Sequence, residues 1–538
     1  MKKLLSVAVL PLLVSVMLLA APPRPEAQAQ PAQTQVSPQP IQYVPQPVFC
    51  VKGTNALCSV LPAYIGPDPR LKNVAGYDGL YGPPPTQASG DVQTPFDNMA
   101  WQMFVALNWA ANAPNQPAAA GLTQPGLRVW QTYPKVSSLF GNSPVRASCT
   151  PAPALPVFYI GSDGKGNPAP NNEEYLQAST NLPLIDINDN WTLFERRVNT
   201  IEASYLRAPT GLSSQTLITI AGQKRFIQNN PGGVQFTASA ALPAGKNGSM
   251  EIKAAWRIID PTKGDDPTRY FTQNAFLAVS GDLVSDGRPI CRPVTLGLVG
   301  MHILQRNPVD PVNKALLPQW IWASFEHADN APMAQKPCNL RNGCGTEAAT
   351  NWINQASCGP AVDNDRVRYS FFRHNLPVGT NIAPVPPGGG SAYPWNPQPP
   401  YALGATTPAT ATPQATRCWS IYSTTAQLNQ QWGQALGAAK SVFQNYMLIG
   451  TQWGASIEPE PPNPVPTNAV PGMLSNMTLE TYIQNYTGSD PKLPGPGSCV
   501  GCHSQAQLPA DNKTSSNFSF LPYLAQPSTA RSKIKTAR

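Results

Sequence analysis

The chain carries one compact group of residues that could do chemistry, Cys499-Val500-Gly501-Cys502-His503, near its C-terminal end. Two thiols separated by two residues and followed at once by an imidazole form the pattern that attaches c-type haem. The thiols add across the two vinyl groups of the porphyrin, and the adjacent imidazole binds the iron. The pattern therefore predicts one covalently bound haem c, held by Cys499 and Cys502, with His503 as the proximal iron ligand.

Two other uses of a Cys-x-x-Cys pair fit the sequence less well. A dithiol redox site is typical of a βαβ context, and no such context is visible around the motif. A zinc site requires a second pair of ligands at a matching spacing, and none follows residue 503. The motif occurs once, so the sequence predicts a single haem.

The sixth position of the iron is left open by the sequence. No Met, His or Cys follows the motif, so a distal ligand comes from an earlier segment or the position has no protein ligand. The leading candidates are His302 and His327. The others are His374, Met447, Met473 and Met477.

Both leading histidines allow more than one interpretation. His302 lies in a strand-like run and shares a face with leucines, where an iron ligand and a core histidine both fit. His327 follows Glu326, so the pair could act as acid–base groups over an open haem. His327 could also be an iron ligand, or it could make an ordinary hydrogen bond at a strand end.

The N-terminus predicts export. Lys2 and Lys3 precede an apolar run that ends at Ala21, and small residues follow. This pattern predicts a signal peptide over residues 1–29 and a periplasmic or secreted protein. A membrane anchor fits less well because Pro11 interrupts the run, and we expect no transmembrane segment after signal cleavage.

Export changes the interpretation of the other eight cysteines. An even number in an oxidising compartment favours up to four disulfides. Proximity in the sequence suggests a Cys50–Cys58 bridge and one bridge within Cys338, Cys344 and Cys358. The alternative is that some of these cysteines are reduced and buried.

The composition of the 538 residues favours an ordered protein with long loops. Apolar residues make up 41% and charged residues only 12%, while proline occurs 62 times. Such a chain can form a large core but favours turns and edge strands over long helices. The formal charge is +8, and the basic residues form no stripe with interleaved aromatics, which argues against nucleic acid as a partner.

Shifts in composition divide the rest of the chain into four stretches. Residues 30–49 are Pro/Gln-rich and predict an extended linker, and residues 50–380 predict a β-rich globular domain. Residues 381–416 are a Pro/Gly-rich loop or linker. Residues 417–538 then form a C-terminal haem-binding region.

Two periodicities predict the fold class. Helical spacing of apolar residues occurs over 95–110, where Asp97 or Asn98 could cap the helix, and again over 424–453. Short segments rich in β-branched and aromatic residues predict antiparallel strands: WTLFERRV, IEASYL, QTLITIAG, MEIKAAWRII, RYFTQNAFLAVS, VTLGLVGMHIL and PQWIWASFEHA. We therefore expect an α+β fold with an antiparallel β-rich central domain, a helical N-terminal element and a mainly helical or loop C-terminal haem-binding segment.

Seven segments together resemble a known family: AWQMFVALNWA, EIKAAWRII, LGLVGMHI, PQWIWASFEHADNAP, NMTLETYIQ, SCVGCHSQA and FSFLPYLAQ. The chain resembles large exported bacterial cytochrome c family proteins with a single motif near the C-terminus. The resemblance implies one covalent haem on Cys499, Cys502 and His503 and a role in redox chemistry. It also makes His302 and His327 the histidines to test first.

Three functions remain open at this point. The favoured one is electron transfer through the covalently bound haem, with a redox partner protein. The second is a haem enzyme of peroxidase or oxygenase type with an open distal site, a small-molecule substrate, and Glu326 and His327 as acid–base groups. The third is a ligand-binding protein in which the haem is structural.

Overall fold

The fold is organised around a mixed sheet whose strands come mostly from the β-branched and aromatic segments of the central region. The computed structural model describes residues 56–65, 93–114, 116–118, 121–141, 149–150, 155–161, 175–177, 182–243, 246–307, 320–338, 361–376, 380–382, 394–402, 414–454, 469–470, 474–484 and 498–525. All of them lie in one compact unit, Val44–Arg538. The predicted signal peptide and the 30–49 linker lie outside the described residues.

Twelve strands occur in the described part of the chain: β1 (Ala111–Ala113), β2 (Gln116–Pro117), β3 (Val157–Ile160), β4 (Leu193–Val198), β5 (Met250–Ile258), β6 (Thr272–Val279), β7 (Ile290–Arg306), β8 (Trp320–His327), β9 (Met333–Cys338), β10 (Arg417–Trp419), β11 (Tyr446–Gly454) and β12 (Ala469–Val470). The main sheet has the order β12-β11-β8-β7-β5-β4, with β6 also paired to β7 and β3 paired to β6. Only the β3–β6 pair in this sheet is parallel.

Six α-helices occur in the same described residues: α1 (Gln93–Leu107), α2 (Val136–Phe140), α3 (Thr200–Arg207), α4 (Ile220–Asn229), α5 (Ser423–Ala438) and α6 (Cys499–His503). Helices and a largely antiparallel sheet in one unit confirm the α+β prediction. Asp97 and Asn98 do not cap α1. Both lie inside the helix, where Asp97 accepts a hydrogen bond from Thr425 of α5 and Asn98 accepts one from Trp432.

The two faces of the sheet pack against different partners. One face, with Ile252, Ile303 and Phe325, forms the largest apolar cluster together with α1 and α5. The other face, with Leu304 and Trp322, packs against α6 and the C-terminal segment in a second cluster. The candidate chemistry therefore lies on the second face.

Two predicted strands are helical or irregular instead. IEASYL lies in α3, which Asn199 caps by accepting a hydrogen bond from the backbone N–H of Glu202. QTLITIAG leads into α4, which Thr219 caps in the same way. Capping side chains followed by a short amphipathic run outweigh the β-propensity of isoleucine and threonine in these segments.

The predicted helix over 424–453 ends early. Helix α5 stops at Ala438, and Lys440 takes a left-handed conformation with φ of 53°. The chain then enters β11, which is hydrogen-bonded to β8 along most of its length. The aromatic and β-branched run after residue 445 favours a strand once the β8 edge is available to pair with it.

The boundary predicted between a central domain and a C-terminal region does not separate two bodies. Strand β11 belongs to the same sheet as β8. The predicted 381–416 linker also contributes to the core, because Trp395 and Tyr401 are fully buried in the largest cluster. A Pro-rich composition predicts the absence of regular structure here, but not the absence of burial.

The described residues contain one disulfide with both of its partners and two further disulfide-bonded cysteines. A Cys149–Cys291 bridge joins the segment before β3 to β7, a pair that proximity in the sequence does not suggest. Cys58 and Cys418 also take part in disulfides. The predicted pairings involve cysteines outside the described residues: Cys50, Cys344 and Cys358. Among the described residues, no helix has the length and apolar character needed to cross a membrane.

Candidate functional site

Helix α6 presents the motif and is held to the sheet by one glutamine. Ser498 caps the helix by accepting a hydrogen bond from the backbone N–H of Gly501. Gln452 of β11 donates to the Ser498 hydroxyl at 2.8 Å and accepts from the backbone N–H of Val500 at 2.8 Å. Val500 is fully buried in the second cluster. Burial of Val500 and the glutamine clamp fix the orientation of the two thiols and the imidazole.

Removal of the glutamine clamp should loosen α6. In Gln452→Ala the Ser498 hydroxyl and the backbone N–H of Val500 lose their side-chain partner while they remain buried. We expect the free energy of unfolding to fall by about 2 kcal/mol, the usual cost of buried polar groups left without partners. Urea denaturation measures the change. Gln505→Ala, an exposed glutamine just after α6, is the matched control, and an equal loss in both variants would contradict the clamp.

The imidazole of His503 is oriented by a backbone carbonyl. Its Nδ1 lies 2.6 Å from the carbonyl oxygen of Phe518 and donates a hydrogen bond to it. This bond assigns the proton to Nδ1 and leaves Nε2 as the basic nitrogen, the arrangement found for metal-binding histidines. Burial lowers the pKa of His503 to about 4, so the imidazole is neutral at physiological pH.

The carbonyl that orients His503 comes from a strained turn. Asn517 and Phe518 both have positive φ, 53° and 68°, which costs each residue of order 1 kcal/mol or more. Trp320 of β8 donates a hydrogen bond from its indole N–H to the Asn517 side chain at 3.1 Å. This contact stabilises the strained turn. The turn places the carbonyl of Phe518 against the imidazole of His503.

The three motif side chains line one cavity on the second face of the sheet. The cavity encloses about 240 Å³ and opens to solvent at its mouth. Cys499, Cys502 and His503 form one wall, His302 and Trp322 of the sheet lie on another, and Tyr523 belongs to the C-terminal segment that also lines it.

His302 is held in the cavity wall by a carboxylate. Its Nε2 lies 2.9 and 3.1 Å from the two carboxylate oxygens of Glu480. The other ring nitrogen, Nδ1, is buried and has no hydrogen-bond partner. Burial opposes ionisation of Glu480, but His302 and Lys253 hold the pKa of this carboxyl below its ordinary value. A carboxylate on one ring nitrogen is the usual support for a histidine that binds a metal or moves a proton through the other.

Three basic residues on neighbouring strands lie side by side in the cavity wall formed by the sheet. Arg196 of β4 lies opposite Lys253 of β5, and Lys253 lies opposite His302 of β7. Directly opposite residues share a face with Cβ atoms about 5 Å apart, and all three line the cavity. Glu251 and Glu480 line the same cavity, so the wall beside His302 carries groups of both signs.

The segment that supplies Glu480 lies close against the sheet. A Cβ on Gly300 of β7 would approach the Thr478 hydroxyl to 2.0 Å, so only glycine allows this approach. Asn476 donates hydrogen bonds to the Ser324 hydroxyl and the Phe325 carbonyl, and its backbone N–H donates to Glu480 at 2.9 Å. These contacts place the carboxylate at His302.

Two buried carboxyl groups share a site beside the cavity. Glu202 of α3 is fully buried and meets Glu251 of β5, which lines the cavity. Burial raises the pKa of both, and the Glu251 charge raises that of Glu202 further, well above the ordinary value. Two carboxylates in contact cannot both ionise at low cost, so the pair retains a proton.

The Glu202–Glu251 pair should lower the free energy of unfolding at alkaline pH. Because the pKa of Glu202 is higher in the folded chain than the unfolded value of about 4.5, its stabilising contribution is complete below that pH and is lost as the pH rises through the folded pKa. We expect Glu202→Gln to weaken this loss, measured as the free energy of unfolding between about pH 5 and about pH 9. Asp286→Asn, at an exposed turn, is the control. Identical pH profiles for wild type and Glu202→Gln would contradict the shared proton.

The two motif cysteines differ from the other described cysteines. Cys499 and Cys502 are thiols, whereas Cys58, Cys149, Cys291 and Cys418 are in disulfides. Burial raises the pKa of the Cys499 thiol well above its usual range, whereas reactive dithiols have lowered pKa values. Within the described residues, no three His, Cys, Asp or Glu side chains converge to hold a bare metal ion.

Glu326 and His327 do not line the cavity. Glu326 is buried in an ion pair with Arg417 and accepts a hydrogen bond from the backbone of Met477. His327 stacks on Tyr270, and its Nε2 lies 2.9 Å from a backbone carbonyl. Since His302 is opposite Ser324, His327 faces the other side of the sheet. Both residues have structural partners, so this arrangement does not favour the predicted acid–base role.

The remaining distal candidates also lie away from the cavity. His374 contacts Asp363 and the carbonyl of Val367 in a surface loop. Met477 is fully buried in a third apolar cluster. Met447 is not among the cavity-lining residues, and Met473 lies outside the described residues. Of the predicted candidates, His302 alone shares the cavity with the motif in the described structure.

Sequence reasoning missed three residues that shape the site. Gln452 and Phe518 act through tertiary contacts that no local pattern reveals. One feature of the sequence could have drawn attention to Glu480, because it is the only charged residue between Glu460 and Asp490. Compared with known proteins, the chain matches no family model, no curated protein and no solved structure.

Proposed function

We propose that this protein is an exported c-type cytochrome with one haem, acting in electron transfer. The observation that carries the proposal is the cavity shared by Cys499, Cys502, His503 and His302. A covalent haem needs two thiols and an imidazole on one short segment that faces an open cavity. The family that the sequence resembles, and a periplasmic or secreted location, belong to the same proposal.

The residues present suit a haem c. The thiols of Cys499 and Cys502 would form the thioether bonds, and Nε2 of His503 would bind the iron. Arg196 and Lys253 on the sheet wall would pair with the two carboxylates of the porphyrin. When bound, the haem supplies a centre that gains and loses one electron.

Two histidines of the cavity would hold that centre. The Phe518 carbonyl fixes the tautomer and orientation of His503. Glu480 holds one nitrogen of His302 and leaves the second without a hydrogen bond. We propose that His302 would also bind the iron, since a carboxylate on a ligating imidazole strengthens its donation to a metal. Apolar walls such as Leu304 and Trp322 limit water around the site.

A second function, a haem enzyme with an open distal side, is favoured by one observation. The hydrogen-bonded His302–Glu480 pair is also a suitable acid–base pair for a small substrate bound in the cavity. In this alternative, His302 remains off the iron and moves a proton. The acid–base role predicted for Glu326 and His327 would then belong to His302 and Glu480.

Optical and resonance Raman spectra of the purified holoprotein separate the two functions. We expect six-coordinate low-spin iron in both oxidation states, no binding of carbon monoxide, and reversible one-electron titration. High-spin iron that binds carbon monoxide readily would reject the electron-transfer assignment in favour of the enzyme. A haem that cannot be reduced or oxidised would favour a structural role.

A further inference from the structure

We propose that Trp322, Trp320 and Tyr205 form a route for electrons between the haem cavity and the protein surface. The proposal rests on the proposed electron-transfer function and adds the path that an electron takes through the chain. No bond forms or breaks along this path. One electron leaves the ferrous iron and reaches a one-electron acceptor outside the protein, so the iron becomes ferric and the acceptor is reduced.

The aromatic rings follow one another at short distances. The Trp322 ring lies 5.7 Å from the His503 ring, and the Trp320 ring lies 6.2 Å from that of Trp322. Phe236 lies 5.8 Å from Trp320 and 5.0 Å from Tyr205. Each distance joins ring centroids, so the ring edges are closer still, and no step requires a jump across non-aromatic protein.

The two ends of the series are placed where an electron must enter and leave. Trp322 lines the cavity itself, so its indole would lie against the porphyrin. Tyr205 lies on α3 and is half-buried, and its hydroxyl accepts a hydrogen bond from the backbone of exposed Gln235. Tyr205 therefore joins the buried rings to the surface.

The side chains along the series are those suited to carrying charge briefly. Indole and phenol groups give up an electron more readily than any aliphatic side chain. Trp320 and Trp322 are both 2% exposed, so little water reorganises around them during a transfer. Trp320 and Trp322 are two residues apart on β8, and strand geometry therefore keeps both indoles on the cavity face of the sheet. Phe236 fills the gap between Trp320 and Tyr205.

A second pair of tryptophans is buried in this protein but lies away from the cavity. Trp101 of α1 and Trp432 of α5 pack in the largest cluster, which covers the other face of the sheet, and their rings stack at 5.8 Å. That pair does not line the cavity. Trp101 thus provides a matched control, because it is a buried tryptophan of helix α1 with no place on the proposed route.

The experiment uses the haem-loaded full chain with a ruthenium photosensitiser attached at Ser204→Cys, an exposed position of α3 next to Tyr205. Flash-quench oxidation produces the Ru(III) label, and transient absorption of the haem then follows oxidation of the ferrous iron. The label takes one electron and the iron loses one, so the tryptophans return to their starting state. Trp322→Phe and Trp320→Phe keep a ring in place but remove the readily oxidised indole, and Trp320→Phe also removes the hydrogen bond to Asn517.

We expect each of these two variants to slow iron oxidation by about tenfold, which corresponds to about 1.4 kcal/mol in the activation barrier. Trp101→Phe should leave the rate unchanged. The absorption spectrum and the reduction potential of each variant, measured first, verify that the haem site is intact. Equal rates in Trp322→Phe, Trp320→Phe and the unsubstituted labelled protein would overturn the route. Absence of haem before the flash would instead reject the proposed function.

Discussion

Substitution of both motif cysteines should abolish covalent haem. We expect the double variant Cys499→Ser and Cys502→Ser, exported by cells that mature c-type cytochromes, to give polypeptide without attached porphyrin. The reason is chemical, because a hydroxyl does not form the thioether that a thiol forms with a vinyl group. Haem staining after denaturing electrophoresis measures the effect, and the signal should fall to background.

A nearby serine supplies the control for this loss. Ser504 is buried next to α6 and donates a hydrogen bond to the carbonyl of Gly501. Ser504→Ala removes a polar contact of the same helix end but neither thiol, so it should retain the haem stain. Covalent haem in the double cysteine variant would mean that the attachment site lies elsewhere in the chain.

The second large effect is expected at His302. In His302→Ala the iron should lose its second protein ligand and change from low-spin to high-spin, and the reduced protein should then bind carbon monoxide. The control is His327→Gln, since His327 faces the other side of the sheet. Its spectrum should match the wild type. A low-spin spectrum in His302→Ala, with no binding of carbon monoxide, would exclude His302 as the ligand.

Glu480, the hydrogen-bond partner of His302, allows a milder test of whether His302 binds the iron. Glu480→Gln replaces the carboxylate by a neutral amide that can still form a hydrogen bond. Weaker donation from the imidazole disfavours the ferric state, so we expect the reduction potential to rise by roughly 60 mV, a tenfold change in the one-electron equilibrium. Spectroelectrochemical titration measures the shift. An unchanged potential would show that Glu480 does not act through the iron ligand.

The fold class and most strands of the main sheet could be predicted from short-range sequence patterns. The α+β class and strands β5 to β8 follow from β-branched and aromatic runs between turn residues. The helix of IEASYL could also have been predicted, since Asn199 and Glu202 have the spacing of an N-terminal cap and its third residue. The isoleucine and tyrosine of the same segment favour a strand, so its capping signal and its β-propensity point to different structures.

Strand register explains why the two leading histidines separate. Sequence placed both on strands, but only the pairing of His302 with Ser324 decides which face each occupies. A shift of one residue in that pairing would have placed both histidines on the same face. The Glu480 contact was also beyond prediction, because it joins His302 to a segment 178 residues further along the chain. Such long-range contacts depend on the packed sheet as a whole.

The central claim is a porphyrin joined to the chain by two thioether bonds. The most direct measurement is the intact mass of denatured protein from the export compartment, together with its pyridine haemochrome spectrum. The account predicts a mass equal to the mature polypeptide plus one haem, and the absorption band of a haem with both vinyl groups saturated. A mass equal to the polypeptide alone, with no haemochrome band after removal of loosely bound cofactors, would contradict it.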